Sequence, residues 1–160
     1  MKRIAIQGEL GSFHDITAHQ YFEGEQIELI CCATFEEVFE NIKRDPTVVG
    51  ICAIENTIAG SLLHNYELLR QSGTTVVGEH KLHIEHSICC LPDDDWSTLQ
   101  EVHSHPVALM QCGKFLANHP NLKAVEAEDT AGSAAYISQH KVHGWAAICS
   151  SYAAQMYGMK

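Results

Sequence analysis

Two periods of hydrophobic spacing take turns along this chain, one of two residues and one of about three and a half. Ile4-Ala5-Ile6 sits in a short β run over residues 3–7, closed by the turn Gly8-Glu9-Leu10-Gly11. Ser12 is placed to cap a helix through about Phe22, and residues 26–31 predict a second strand. Thr34-Phe35-Glu36-Glu37 has the form of a capping box, and Phe35, Val38, Phe39 and Ile42 recur at helical spacing as far as about Arg44. Residues 48–54 form a continuous apolar run, the pattern of a parallel strand buried on both faces. Gly60-Ser61 precedes a predicted helix over residues 62–71.

The stretch 74–91 breaks this rhythm. It reads as one long extended segment with a single glycine and no proline before Pro92, and a strand of that length usually crosses between sheets or lobes. The alternation then resumes. Residues 101–104 predict a strand, Pro106 opens a helix to about Asn118, and residues 122–127 predict another strand. Asp129 is placed to cap a helix to His140, residues 145–149 form a strand, and Ser150 caps a helix ending near Gly158. Strands alternating with helices imply an α/β fold with largely parallel sheets, split into two lobes near residues 74–91.

Composition narrows the chemistry. The 160 residues carry 10 Lys and Arg against 20 Asp and Glu, a formal net charge of -10, and both halves are acidic. Such a chain repels phosphate backbones and anionic membranes, so nucleic acid is excluded as an expected partner. No run approaches the roughly 20 apolar residues of a membrane span, and the apolar run after Met1-Lys2-Arg3 is too short for a signal peptide. Seven cysteines include two adjacent pairs and no C-x-x-C. Adjacent strand residues point to opposite faces, so buried thiols in a reducing cytosol are expected rather than disulfides.

In an α/β sheet, ligands collect where strands end and helices begin. Four such junctions are rich in small polar residues: Gly8-Glu9-Leu10-Gly11-Ser12, residues 55–61, Ser104-His105-Pro106 with Gln111 further along its helix, and Asp129-Thr130-Ala131-Gly132-Ser133. Each offers backbone N–H groups and neutral donors that hold an anion without a cation. Each also has a plain structural reading as a tight turn, strand-end cap or helix start. The functional reading rests on all four falling on one kind of junction, two in each lobe. His80, His83 and His86 are spaced by three, which on an extended segment turns successive side chains to opposite faces. No metal site, no zinc dependence and no role in activity are expected of that trio.

These segments, in this order, resemble prephenate dehydratase, the family that converts prephenate to phenylpyruvate, carbon dioxide and water in phenylalanine biosynthesis. Nearly the whole chain takes part. The resemblance is most specific in Ala53-Ile54-Glu55-Asn56-Thr57-Ile58-Ala59-Gly60-Ser61 and Ser104-His105-Pro106-Val107-Ala108-Leu109-Met110-Gln111-Cys112. Asp129-Thr130-Ala131-Gly132-Ser133-Ala134, Ala146-Ala147-Ile148-Cys149-Ser150 and Ala153-Ala154 before Tyr157-Gly158 add to it. It implies a two-lobed, periplasmic-binding-protein-like (type II) α/β fold, with lobes at 1–78 and 79–160 and the active site in the cleft. Glu55, Asn56, Ser104 and Gln111 fall on positions implicated in catalysis, while Gly11, Ser12, Gly60, Ser61, Thr130 and Ala131 would hold the substrate carboxylates. The family implies a lyase without cofactor or metal, a homodimer or larger assembly, and prephenate as the small-molecule partner.

The chain departs from the family in two places. Gly8-Glu9-Leu10-Gly11-Ser12 stands where the family usually has Gly-Pro-x-Gly-Thr, which keeps a hydroxyl and loses a turn proline. The family's Thr-Arg-Phe motif, whose threonine is held to act as the acid on the leaving hydroxyl, has no counterpart in these residues. The expectation is therefore an amino-terminal portion of a catalytic domain, with negligible turnover by itself and no regulatory domain in these residues. Dehydration of arogenate and non-catalytic binding of a small dicarboxylate are the alternatives.

Overall fold

The computed structural model describes residues 1–160, which form two compact units. The first comprises Met1–Glu9 with Phe13–His83, and the second Leu10–Ser12 with Ile84–Lys160.

In the first unit, β1 (Lys2–Gln7) is the centre of a parallel sheet of order β2-β1-β3, with β2 at Ile27–Cys32 and β3 at Val49–Gly50. Ile4, Ala5 and Ile6 are all fully buried, because the strand is covered on both faces. Ile4 and Ile6 pack with Ala18 and Phe22 around α1 (Phe13–Tyr21), while Ala5 turns the other way onto Val38 of α2 (Phe35–Arg44). The Thr34 side chain accepts the Glu37 N–H as expected, but Glu37 reaches back one residue further, accepting from Ala33 N at 2.8 Å. Opposite charges complement the helix dipole, Glu36 and Glu37 in the first turn of α2 and Lys43 and Arg44 in the last.

Two expectations change here. The apolar run at 48–54 pairs as a strand only over Val49–Gly50, with Ile51 adding one bond to Ala5 O. Beyond it the chain turns into a hairpin, β4 (Glu55–Asn56) with β5 (Gly60–Ser61), ahead of α3 (Leu63–Ser72). The long extended segment forms a ladder only at Ser87–Cys90, where β9 runs alongside. Two contacts hold the part of this segment up to His83 within the first unit. Gly78 lies so close to the Tyr21 hydroxyl that a Cβ there would collide with it, and His80 Nε2 bonds Gln20 Oε1 at 2.9 Å.

The second unit repeats the scheme with β9 (Trp145–Cys149) as the doubly covered strand. Its sheet has the order β6-β9-β7-β8, with β6 (Ser87–Cys90) antiparallel and β7 (Glu101–Ser104), β8 (Lys123–Glu126) and β9 parallel. Ala147 and Cys149 face α6 (Thr130–His140) and α7 (Ser151–Met156), packing on Ala131, Ala134, Ile137 and Ala153. Ala146 and Ile148 face the opposite layer, with Val102, Ala108 and Leu109. The helix expected from Pro106 to Asn118 is broken into α4 (Pro106–Gln111) and α5 (Gly113–Ala117). Gly113 is a poor helix former inside that run, and the chain leaves helical geometry at Cys112 immediately before it.

His14 illustrates the tightness of the first unit. Burial outweighs its hydrogen bond to the Gln7 backbone and lowers its pKa to about 4, and its ring lies edge-on to Phe35 at 5.3 Å. The folded chain therefore holds His14 neutral where the unfolded chain would protonate it. That contribution to stability is complete above about pH 6.5 and is lost as pH falls toward 4. Urea unfolding at pH 7 and pH 4.5 should show His14→Gln losing less stability on acidification than the parent, by on the order of 2 kcal/mol. At Gly50, an added Cβ would meet Ile42 Cδ1 at 2.5 Å and Val38 Cγ1 at 2.9 Å. Gly50→Ala should cost about 1–3 kcal/mol, visible as a lower urea midpoint with unchanged slope.

Candidate active site

In the second unit, β7, β8 and β9 run parallel, so their carboxyl ends share one edge of the sheet, and α4, α6 and α7 follow from that edge. This topology brings Ser104, Thr130, Ala131 and Ser150 to one side. Ser150 caps α7, accepting from Ala153 N at 2.9 Å, and its hydroxyl donates to Gly11 O at 2.9 Å. Tyr157 donates to Leu10 O at 2.6 Å, so the Leu10–Ser12 segment is tied to both ends of α7. Gly11 has φ +88, and a Cβ there would lie 3.0 Å from Ala153 Cα, so both backbone shape and space call for glycine. Ser12 is buried beside it.

Ser104 is fully buried, and its Oγ donates to Ile148 O at 2.6 Å. The hydroxyl proton is thus spent on joining β7 to β9. At α6, the Asp129 carboxylate accepts the Gly132 N–H, and Ser133 Oγ donates to Asp129 O at 2.7 Å. A negative side chain already sits on that helix start, which leaves fewer N–H groups for an anion there. Ala131 is fully buried in the core, where its small size lets α6 approach the sheet; Thr130 is partly exposed. Gln111 ends α4, roughly 8 Å along the helix axis from Pro106. Its Oε1 lies 2.7 Å from His86 Nε2.

In the first unit, Glu55, Asn56, Gly60 and Ser61 gather in the β4–β5 hairpin, with Glu55 opposite Ser61 and Asn56 opposite Gly60. Asn56 Oδ1 accepts from Ile58 N at 2.9 Å and Ala59 N at 3.0 Å, closing the turn. The oxygen end of the Asn56 amide is thus committed to its own turn, and the nitrogen end is the donor. Gly60 has φ +87, the left-handed conformation that the hairpin requires. Behind the hairpin, the buried Asn65 donates to Ala53 O at 2.7 Å, pinning the start of α3 to the chain that leads into Glu55. Nothing in the local pattern singles out Asn65, because an asparagine one turn into a helix looks like an exposed polar position.

Burial raises Cys52 to about 11 and lifts Cys32, Cys90 and Cys112 above the ordinary thiol value, keeping them protonated at neutral pH. Cys89 and Cys149 share a buried sulfur contact at 3.5 Å, which raises Cys149 and lowers Cys89. No group of three or more His, Cys, Asp or Glu is placed to hold a metal ion.

A family model for prephenate dehydratase matches residues 4–160. The chain belongs to the prephenate dehydratase family. It is 32% identical over 160 residues to the bifunctional chorismate mutase/prephenate dehydratase of Escherichia coli (strain K12), covering 99% of this chain and 42% of that protein. It is 33% identical over 159 residues to arogenate dehydratase 1 of Petunia hybrida, covering 99% and 37%. The chain thus spans about two fifths of the length of the curated relatives it matches. Among solved structures, prephenate dehydratase in complex with L-Phe from Arthrobacter aurescens superposes with a TM-score of 0.86 at 20% identity, covering 99% of this chain and 53% of that one. A structure described as a novel type of quorum quenching acylase gives 0.85 at 28%, covering 99% and 57%. The α/β architecture with mixed, mostly parallel sheets is the periplasmic-binding-protein-like fold of prephenate dehydratase structures.

For this prephenate dehydratase family chain, the Ser150 bonds make a direct stability prediction. Ser150→Ala removes a helix cap and a buried bond to Gly11, and should cost about 2 kcal/mol in urea unfolding. Ser150→Thr should recover most of the cap.

Proposed function

We propose that the protein at its full encoded length catalyses the decarboxylating dehydration of prephenate to phenylpyruvate. The observation that carries this reading is the family match over residues 4–160. In that reaction the ring carboxylate leaves as carbon dioxide and the 4-hydroxyl as water, and aromatisation drives both. The protein has to orient two carboxylates, exclude water and help the hydroxyl depart with a proton. Neutral donors suit that task, because a carboxylate held too firmly in its charged ground state resists decarboxylation.

The amides of Asn56 and Gln111 are assigned as the principal donors, with Glu55 as the acidic group beside Asn56. Gly11, Ser12, Gly60, Ser61 and the Thr130–Ala131 turn supply backbone and hydroxyl contacts to the carboxylates. Ser104 is assigned to holding β7 and β9 in register through Ile148. A homo-oligomer in a reducing cytosol is part of the same reading, and its seven unbridged cysteines fit that compartment. Arogenate is the second candidate substrate, favoured by the 33% likeness to a protein named arogenate dehydratase. It differs only in carrying an amino group where prephenate has a keto oxygen.

Formation of phenylpyruvate from prephenate by the full-length protein tests the reading, with arogenate and an N-acyl amide assayed alongside. Turnover of prephenate or arogenate supports dehydration, while hydrolysis of the amide alone would replace it with acylase chemistry. Gln111→Ala should lower kcat by about 100-fold or more. Asn56→Ala would also unmake the hairpin turn, so Asn56→Asp is the cleaner variant: it keeps the acceptor for Ile58 and Ala59 and removes the NH2 donor. Unchanged kinetics in both Gln111→Ala and Asn56→Asp would overturn the site assignment.

A further inference from the structure

The three histidines grouped by their spacing have different surroundings. His80 bonds Gln20 in the first unit, and His83 lies on the surface. His86, which immediately precedes β6, is partly buried and lies 2.7 Å from Gln111 Oε1 through Nε2. An amide oxygen can only accept, so the imidazole nitrogen facing it must carry the proton. The two ends of a glutamine amide have nearly the same shape, so packing alone barely distinguishes them. A hydrogen-bond donor on one side does.

We propose that His86 is a positioning residue: by donating from Nε2–H to Gln111 Oε1 it fixes the amide of Gln111 with its NH2 turned away from the imidazole, as a donor. The use of that donor by the substrate rests on the assignment of Gln111 made above. Gln111 is the last residue of α4 and His86 adjoins the first residue of β6, so both partners are tied to regular structure. β6 is held in ladder to β9, from Ser87 opposite Cys149 to Cys90 opposite Ala146. α4 is closed behind Gln111 by the Cys112 N–H, bonded to Ala108 O and Met110 O. Without this donor the amide loses the contact that distinguishes its oxygen from its nitrogen, and the expected loss in activity is about three- to tenfold.

The test combines a spectroscopic and a kinetic measurement on the full-length protein. Long-range nitrogen–proton NMR of the imidazole should show His86 protonated at Nε2 at pH 7.5; protonation at Nδ1 alone would overturn the proposal. His86→Leu should lower prephenate turnover about three- to tenfold, and His86→Gln, whose NH2 can donate to the same oxygen, should recover most of it. In a Gln111→Ala background His86→Leu should have no further effect, whereas the same loss in both backgrounds would show that His86 does not act through Gln111. If His86→Leu fails to fold, the NMR tautomer and the His86→Gln variant decide the matter. Gln111→Ala with unchanged turnover would sink the role of Gln111 in the site, while the NMR result would still judge the orientation set by His86.

Discussion

Two strands are dry on both faces, and most of the structure follows from that. Ile4, Ala5 and Ile6 of β1 and Ala146, Ala147, Ile148 and Cys149 of β9 are buried to within 2% of complete exclusion. A strand in that position requires a layer of helices on each side, since its alternate residues need apolar partners in opposite directions. α1 and α2 meet the requirement for β1, and α6, α7 and α4 meet it for β9. With both faces covered and parallel neighbours alongside, the carboxyl ends of the strands are where backbone groups and polar side chains remain available to a ligand. The small residues of β9 and α6 matter for the same reason: Ala131, Ala134 and Ala147 let helix and sheet come close enough to set the adjoining turns.

The strand-end junctions spend many of their polar groups on holding themselves together. Ser150 caps a helix and holds Gly11; Ser104 ties β7 to Ile148; Asp129 occupies the start of α6; the oxygen of Asn56 closes its own turn. Such commitments hold the junctions in shape. The amide nitrogens of Asn56 and Gln111 are the groups whose opposite ends are already anchored, by Ile58 and Ala59 in one case and by His86 in the other.

The negative charge of the chain is dispersed. The net charge of -10 is spread over both halves of the chain, and many of the carboxylates are tied up locally. Glu67 pairs with Arg70, Asp45 with Arg3, and Asp94 with His143 and the Gly144 N–H. The junction residues themselves are mostly neutral, with Glu9, Glu55 and Asp129 the acidic exceptions. Asp129 is engaged by backbone at a helix start, where its charge is offset by the helix dipole.

Much of this was legible in the residues because it depends on local rules. The βα alternation, the caps at Thr34, Asp129 and Ser150, the strands at Glu101–Ser104 and Trp145–Cys149, and the motifs around Asn56 and Gln111 each follow from a few neighbouring positions. What depended on the tertiary structure was every question of partnership. An apolar run at 48–54 becomes a strand only as far as β1 offers a backbone to pair with, and residues 74–91 only where β9 does. The break at Cys112 in the helix from Pro106, the burial of Asn65, the donation of Ser104 to Ile148 and the turn of His86 toward Gln111 all need residues distant in sequence or packing that no local pattern shows. Periodicity reports which side of an element is apolar; it cannot report which polar atom stands 2.7 Å away. That is decided when the chain closes on itself, and in this protein it separates the histidine beside the candidate site from the two that share its spacing.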